Sequence, residues 1–156
     1  MPRFTYELIL TETEIAVREM PEFAFRNVVQ GDFEALVELM LDAYEGTIDD
    51  EGETIDDATG EVGRFFGGAP ILDASFLAEH EDSVIGACLV SMSGASPIVA
   101  YAMTAGEWKA QGLGAALVER SLSALAAAGH SRVTAVITEG NEPSERMAAR
   151  LGFERV

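Results

Sequence analysis

The feature that most constrains this chain is a glycine-rich turn between an apolar strand and an apolar helix. Residues 98–104, IVAYAMT, form the apolar and β-branched run that is typical of a buried strand. Gly112 and Gly114 follow, and the leucine- and alanine-rich segment 113–129 has the spacing of a helix with one apolar face. A strand, a glycine turn and a helix in this order point unpaired backbone N–H groups at an anion. We therefore expect the turn to bind a phosphate group, with a pyrophosphate as the expected ligand.

Two common nucleotide motifs fit this turn poorly. A P-loop ends in Gly-Lys-Ser/Thr, whereas Gly114 is followed by two alanines, which argues against ATP and GTP. A dinucleotide fold has a third glycine and an acid about twenty residues later. Leu117 occupies the glycine position, and Glu139 is only roughly in range. A dinucleotide-binding oxidoreductase fragment is thus a weak alternative, and a glycine-capped loop before an ordinary core helix is another.

A second strand, turn and helix follow towards the C-terminus. Residues 133–138, VTAVIT, are typical of a buried strand. A helix is expected from about Pro143 to Leu151, because proline suits a first-turn position where its missing N–H costs little. Gly152 ends this helix and Phe153 begins another extended piece.

These two units resemble the signatures of the GNAT N-acetyltransferase superfamily. The turn KAQGLGA at residues 109–115 resembles the family's Q/R-x-x-G-x-G/A motif, and TEGNEPSERMAARLGF at residues 138–153 resembles its second signature. The resemblance implies an α/β fold, in which helices flank a central mixed β-sheet, with the acetyltransferase domain at residues 21–156. It implies transfer of an acetyl group directly from acetyl-CoA, the co-substrate, to a primary amine of a small molecule or peptide. Nothing in the sequence indicates a metal.

The resemblance also implies roles for individual residues. The turn would bind the CoA pyrophosphate through backbone N–H groups, with added charge from Lys109, and the backbone N–H of Met103 would be the oxyanion donor. The strand and the second unit would contact the pantetheine arm. The implied cofactor-binding residues are Ala102, Met103, Thr104, Lys109, Ala110, Gln111, Gly112, Leu113, Gly114, Ala115, Asn141 and Ser144.

Three positions depart from the family pattern. Thr104-Ala105-Gly106 stands where relatives often have Val-x-Pro. Lys109 stands at the Gln/Arg position, where it keeps a charge but lacks the planar fork of arginine. Ala148 stands where many relatives have a tyrosine that acts as general acid to the leaving thiolate. The loss of this acid supports an alternative function, a catalytically weak or inactive acyl-CoA-binding sensor or interaction domain.

Substitute catalytic groups are Tyr101 and Glu139. Tyr101 lies on the central strand and can face the cleft, with core packing as the alternative. Glu139 follows a strand near the expected CoA site and can act as a base, with a solvated strand end as the alternative.

An acidic segment, EGTIDDEGETIDDATGE at residues 45–61, predicts a loop followed by a helix at about residues 56–66. In acetyltransferases of this layout, the loop between the first two helices helps to form the acceptor pocket. Asp49, Asp50 and Glu51 are therefore candidate contacts for a substrate ammonium group. A solvated loop is an alternative reading, and a calcium loop is a weaker one because the oxygen ligands do not follow EF-hand spacing.

Charge and composition narrow the possible partners. The 156 residues fit one domain with a sizeable core, and the net charge of −17 argues against nucleic acid and anionic membranes. No run approaches a membrane span and the N-terminus lacks a signal-peptide pattern, so a cytoplasmic location is expected. Cys88 is the only cysteine and lies in a strand-like run, which indicates a buried, inert thiol.

The remaining elements complete the expected fold. Residues 1–20 are expected to be an N-terminal extension, forming an extra hairpin from strands at 4–10 and 15–18, an arm to a partner subunit, or a tail. A first sheet strand at 23–28, a helix capped by Asp32 and a hairpin at 75–92 follow. Few residues follow Phe153, so the family's last strand is expected to be short or supplied by a partner, which predicts a homodimer.

Overall fold

The computed structural model describes residues 2–156 and contains a mixed sheet of seven strands with four α-helices packed around it. The strands are β1 (Arg3–Ile9), β2 (Ala24–Asn27), β3 (Phe76–His80), β4 (Ser83–Ser93), β5 (Ser96–Thr104), β6 (Arg132–Thr138) and β7 (Glu154–Arg155). The helices are α1 (Phe33–Tyr44), α2 (Ile55–Gly67), α3 (Leu113–Ala127) and α4 (Glu142–Leu151). The predicted mixed α/β fold is confirmed.

The sheet order is β2-β3-β4-β5-β6-β1-β7, and neighbouring strands are antiparallel except for β5 and β6. A parallel pair needs a long crossover connection, which α3 provides here. The crossover helix packs closely on β4 because Gly86 has no side chain. A Cβ atom at Gly86 would lie 2.8 Å from Cδ1 of Leu117 and 3.3 Å from Cδ2 of Leu113, both on α3. This packing fixes the start of α3 against the middle of the sheet.

The N-terminal strand lies within the sheet. β1 pairs with β6 along its whole length, from Arg3 opposite Thr138 to Ile9 opposite Arg132, and β7 pairs with the other edge of β1. Residues 15–18 form no strand, so the hairpin suggested for this region is not present. Both edges of β1 are instead paired with β6 and β7, and the apolar side chain of Leu8 on this strand is only 2% exposed. Met1, which belongs to the same expected extension, lies outside the described residues.

The last strand is short, as one of the two expectations had it. β7 contains only Glu154 and Arg155, and its neighbour β1 comes from the same chain. The sheet therefore obtains the strand next to β6 from its own N-terminus.

A local capping signal explains the start of α2 but not that of α1. Thr54 and Asp57 form a capping box at the start of α2, in which the Thr54 hydroxyl accepts from the Asp57 N–H and the Asp57 carboxylate accepts from the Thr54 N–H. Asp32 stands at the N-cap of α1, but its side chain does not cap the helix. Its carboxylate instead accepts two hydrogen bonds from the Arg26 guanidinium, at 2.9 and 2.7 Å, and one from the Val29 N–H.

Within the described part of the chain, no helix combines the length and the apolar character needed to cross a lipid bilayer.

Candidate functional site

The site is built where β5 and β6 separate. These parallel strands pair at only two positions, Ile98 with Thr134 and Val99 with Ala135. Beyond this point each strand continues without the other, although β5 stays paired with β4 as far as Thr104.

A β-bulge on β5 accounts for this separation. Leu89 of β4 lies opposite Tyr101, whereas the next residue, Val90, lies opposite Val99, so Ala100 is an extra residue on β5. A bulge of this kind bends its strand and disrupts the ladder locally. β5 therefore turns away from β6 beyond Val99, and a slot opens through the sheet.

The slot has a volume of about 180 Å³ and is bordered by both strands, by the first turns of α3 and by one side of α4 along most of its length. The side chains that line it on the helix side come from Val118, Asn141, Ser144, Met147 and Ala148. At its other end it is lined by Tyr44 and Asp49, from the end of α1 and the loop after it. It is therefore a narrow channel through the sheet, with a different set of elements at each mouth.

The glycine-rich turn lies at the helix-side mouth. Gly112 has φ +85°, in the left-handed region that favours glycine, and it is the N-cap of α3. A Cβ atom at Gly114 would lie 3.2 Å from Cε of Met147 and 3.3 Å from Oγ1 of Thr104. The first N–H groups of α3 have no partner within the helix. The turn thus combines free N–H donors with a close approach that only a small residue allows.

The cation that lies closest to this turn is not the expected one. Lys109 was expected to add charge to the pyrophosphate, but its ammonium donates to the carbonyl oxygen of Ala43 at the end of α1. Arg18, which precedes β2, lies at the turn instead. Its backbone N–H, Nε and Nη2 donate to the carboxylate of Glu119 at 3.1, 3.0 and 3.0 Å. Its Nη1 lies 3.0 Å from where a Cβ atom of Gly112 would be.

The backbone of β5 offers donors to the slot at alternate residues. The Ala105 N–H donates to the Ile85 carbonyl on β4 at 2.8 Å. In an antiparallel ladder the bonded residues alternate, so the N–H of Met103 also faces β4. The N–H groups of Ala102 and Thr104 face the slot. The expected oxyanion donor, the Met103 N–H, therefore points away from the slot. The N–H groups that point into the slot belong to the residues on either side of it.

A larger cleft of about 1010 Å³ lies on the other face of the sheet, between α1, α2 and the strands. Its lining is strongly acidic, with Arg3 as its basic side chain. Both cavities share six lining residues: Tyr44, Asp49, Ala100, Tyr101, Val136 and Thr138. The carboxylates of the cleft are those of Glu45, Asp49, Asp50, Glu51, Glu53, Asp57 and Glu61. The slot therefore opens into an acidic cleft.

The three acids predicted to bind substrate have different surroundings. Asp49 lies at the junction of the cavities, where it accepts hydrogen bonds from Thr138 Oγ1 at 2.8 Å and Asn141 Nδ2 at 3.4 Å. Asp50 accepts from two backbone N–H groups of its own loop, which lower the pKa of its carboxyl and hold the loop's shape. Glu51 is exposed in the lining of the cleft.

Tyr101 lies on the wall shared by the two cavities and is half-buried. Its hydroxyl donates to the carboxylate of Glu61 on α2, which also pairs with Arg64. The phenol's hydrogen bond is the main cause that lowers the pKa of Glu61, and burial, followed by this bond, raises the pKa of Tyr101. Burial also raises the pKa of Tyr44 to about 12.

The remaining expected residues lie around the slot or away from it. Asn141 caps α4 by accepting from the Ser144 N–H at 3.3 Å, and both residues line the slot. Glu139 is exposed and is in the lining of neither cavity, while its N–H donates to the Pro2 carbonyl. The structure thus gives no support to Glu139 as a base in the slot.

The fold agrees with comparisons to known proteins. A family model described as the acetyltransferase (GNAT) family matches residues 33–153. No curated protein has a significant match to the chain.

Several solved structures share the fold. The GCN5-related N-acetyltransferase from Sphaerobacter thermophilus has a TM-score of 0.78 and 16% identity, and the match covers 99% of this chain and 48% of that chain. This chain thus spans about half the length of that protein. PaiA N-acetyltransferase from Thermoplasma acidophilum, in complex with coenzyme A, has a TM-score of 0.67 and 14% identity. The match covers 85% of this chain and 89% of that chain. AAC(6')-Iy, in complex with the bisubstrate analog CoA-S-monomethyl-acetylneamine, has a TM-score of 0.63 and 15% identity. The match covers 85% of this chain and 90% of that chain.

At such low identity these structures show a shared fold and do not transfer a substrate. The family model, in contrast, spans most of the chain and includes both the glycine-rich turn and α4. The chain belongs to the acetyltransferase (GNAT) family.

Proposed function

We propose that this protein transfers an acetyl group directly from acetyl-CoA to a primary amine of a cationic small molecule or peptide. The observation that carries the proposal is the channel through the sheet. A glycine-rich, N–H-donating turn lies at one mouth, and an acidic cleft lies at the other. Two substrates of opposite charge can therefore approach from opposite faces and meet between β5 and β6.

On the acetyl-CoA side, the turn at 109–115 supplies backbone N–H donors for the pyrophosphate. Arg18 adds the nearest guanidinium, in the place where Lys109 was expected to act. The Thr104 N–H faces the slot and can bond an extended arm as a neighbouring strand would. Asn141 and Ser144 line the opposite side of the slot.

For the chemistry, acetyl-CoA supplies the thioester carbonyl that the amine attacks. Negative charge develops on the carbonyl oxygen and requires a positioned donor. We assign this role to a slot-facing N–H of β5, that of Ala102, because the Met103 N–H faces β4. The attacking amine must also lose a proton before it becomes a nucleophile.

For the acceptor, the cleft favours a positively charged molecule. Seven carboxylates line it against one arginine, and Asp49 lies where the cleft meets the slot. Charged walls of one sign raise the local concentration of an oppositely charged substrate. The floor includes the apolar residues Ile98 and Val136, which suits the aliphatic part of a polyamine or a lysine side chain.

The alternative function is an acyl-CoA-binding sensor with weak or no catalysis. Ala148 favours this alternative because it places a methyl group in the slot where many relatives have an acidic phenol. The two functions differ in turnover and agree in acetyl-CoA binding.

The test is release of free CoA, followed with a thiol reagent, from acetyl-CoA and spermidine, 1,4-diaminobutane, a lysine peptide or a neutral primary amide as control. We expect CoA release with at least one of the amines and none with the amide. Gly114→Leu should block it by filling the slot. Gly31→Leu is the matched control, since nothing lies within 4 Å of a Cβ there. Acetyl-CoA binding without release for any amine would support the sensor.

The expected homodimer and the cytoplasmic location stay predictions. The mass of the purified protein by light scattering tests the first.

A further inference from the structure

The tyrosine that is missing at position 148 has a counterpart on the other wall of the slot. Ala148, on α4, and Tyr101, on β5, both line this cavity, and Tyr101 also lines the acidic cleft. The Tyr101 hydroxyl donates a hydrogen bond to the Glu61 carboxylate, so the lone pairs of the phenol oxygen remain available to accept another hydrogen bond. A phenol in this state can accept a proton only if it passes its own proton on.

We propose that Tyr101 and Glu61 form a proton relay that deprotonates the ammonium group of the incoming amine. Tyr101 touches the substrate, and Glu61 acts through Tyr101 as the final acceptor. This inference rests on the proposed acetyl transfer and assigns the base, for which the sequence offered Glu139 as a candidate and Tyr101 as a further catalytic group.

The proton balance of the relay is simple. One proton of the ammonium group moves to Tyr101 Oη while the phenolic proton moves to the Glu61 carboxylate. The neutral amine then attacks the carbonyl carbon, so that a C–N bond forms and the C–S bond breaks. The second nitrogen proton leaves with the departing sulfur as the thiol. Glu61 returns its proton to water, since the cleft is open to solvent and its carboxylate lies in the lining.

Other charged groups around the pair keep Glu61 ionised between turnovers. Arg64, one turn further along α2, pairs with its carboxylate, and Arg3 of β1 lies in the same cleft and favours the charged form. Tyr44 at the end of α1 is partly buried nearby, and its raised pKa keeps it neutral. Asp49 also faces the junction, where its carboxylate accepts from the Thr138 hydroxyl and the Asn141 amide rather than from a phenol. Tyr101 and Glu61 together form a hydrogen-bonded path from the wall of the slot into the cleft.

The kinetic test uses Tyr101→Phe, Glu61→Gln, the double variant and the control Glu45→Gln, with acetyl-CoA and the best amine of the panel. Glu45 lines the same cleft, so its variant loses the same charge without touching Tyr101. We expect kcat to fall about 100-fold in each single variant, because general-base catalysis contributes roughly that much or more. The double variant should be no slower than the slower single, since two groups that act as a unit are not additive.

A change in KM alone, equal in Glu61→Gln and Glu45→Gln, would overturn the relay and leave simple attraction of a cation. The pH dependence separates the relay from a purely structural role. The defect of Glu61→Gln should shrink from about 100-fold at neutral pH to a few-fold near pH 10, where much of the amine is already neutral. A defect that stays constant with pH would contradict the relay.

A readout independent of turnover is the titration of Glu61 by carboxyl ¹³C NMR, with its resonance assigned by its absence in Glu61→Gln. Because the Tyr101 hydrogen bond is the main cause that lowers the pKa of Glu61, Tyr101→Phe should raise that pKa. An unchanged titration would refute the contact on which the relay depends. If the wild type releases no CoA with any amine, both the transfer and the relay fail. If it transfers acetyl groups and the variants keep kcat, the relay fails alone.

Discussion

The pair formed by Arg18 and Glu119 should hold the N-terminal segment on α3, and Arg18→Met tests this directly. The Glu119 side chain is 8% exposed and receives three hydrogen bonds from Arg18, two of them from the guanidinium. Removing one partner of a fully buried pair costs about 3–5 kcal/mol, because the remaining charge is left uncompensated. Since the Arg18 side chain is 36% exposed, water can partly replace it, and we expect a loss of about 2–3 kcal/mol.

The assay is urea unfolding followed by circular dichroism, with thermal melting as a second probe. A loss of this size lowers Tm by roughly 4–12 °C for a domain of this length. The double variant Arg18→Met/Glu119→Leu should recover much of the loss, because no buried charge then remains. The control is Arg132→Met, whose partner Glu7 is 3.4 Å away at an exposed site, where the cost should stay under about 1 kcal/mol. The reasoning is refuted if Arg18→Met costs no more than this control, or if the double variant is no better than the single.

Three further predictions concern the core and the pH dependence of stability. Gly86→Ala should cost about 1–3 kcal/mol in urea unfolding, because its Cβ would meet Leu117 at 2.8 Å in a filled core; full stability would contradict this. Cys88 is fully buried and burial raises the pKa of its thiol to about 11, so a disulfide reagent at pH 8 should label it only after urea is added; rapid native labelling would contradict this. The Arg26 guanidinium lowers the pKa of Asp32 in the folded state. The Asp32 carboxylate therefore contributes to the free energy of unfolding above the ordinary carboxyl pKa of about 4, and this contribution is lost as pH falls through the lower pKa of the folded protein. Asp32→Asn should therefore flatten the fall of stability in this acidic range, and an unchanged slope would contradict the sign.

The sequence predicts the elements of this fold well where the signal is local. The helix expected at 56–66 is α2 at Ile55–Gly67, and the strand expected at 133–138 is β6 at Arg132–Thr138. In both cases, periodicity and a terminal signal such as Thr54 or Gly140 lie within a few residues of the boundary.

What the sequence does not show is which distant segments meet. Nothing in residues 3–9 indicates that this strand lies between β6 and β7, because pairing with β6 is a contact between opposite ends of the chain. The same holds for Arg18 with Glu119 and for Tyr101 with Glu61. Local patterns describe one element at a time, whereas these contacts depend on how elements pack.

The direction of individual N–H groups is also beyond local patterns. The bulge at Ala100 and the pairing of β4 with β5 determine that the Ala102 N–H points into the slot and that the Met103 N–H points towards β4. A register shift of one residue would make every backbone N–H along the strand point to the opposite edge. The oxyanion donor could therefore be identified only once the register was known.

The most direct test of the central claim compares acetyl-CoA with S-acetylpantetheine by calorimetric titration into the wild-type protein. The two ligands share the thioester arm, and only acetyl-CoA carries the pyrophosphate that the glycine-rich turn is proposed to bind, together with the 3′-phosphoadenosine attached to it. We expect measurable binding of acetyl-CoA and at least about 100-fold weaker binding of S-acetylpantetheine, the effect of losing roughly 2.7 kcal/mol of phosphate contacts. Equal affinity for both, or no binding of acetyl-CoA, would contradict the assignment of the turn and of the channel it opens into.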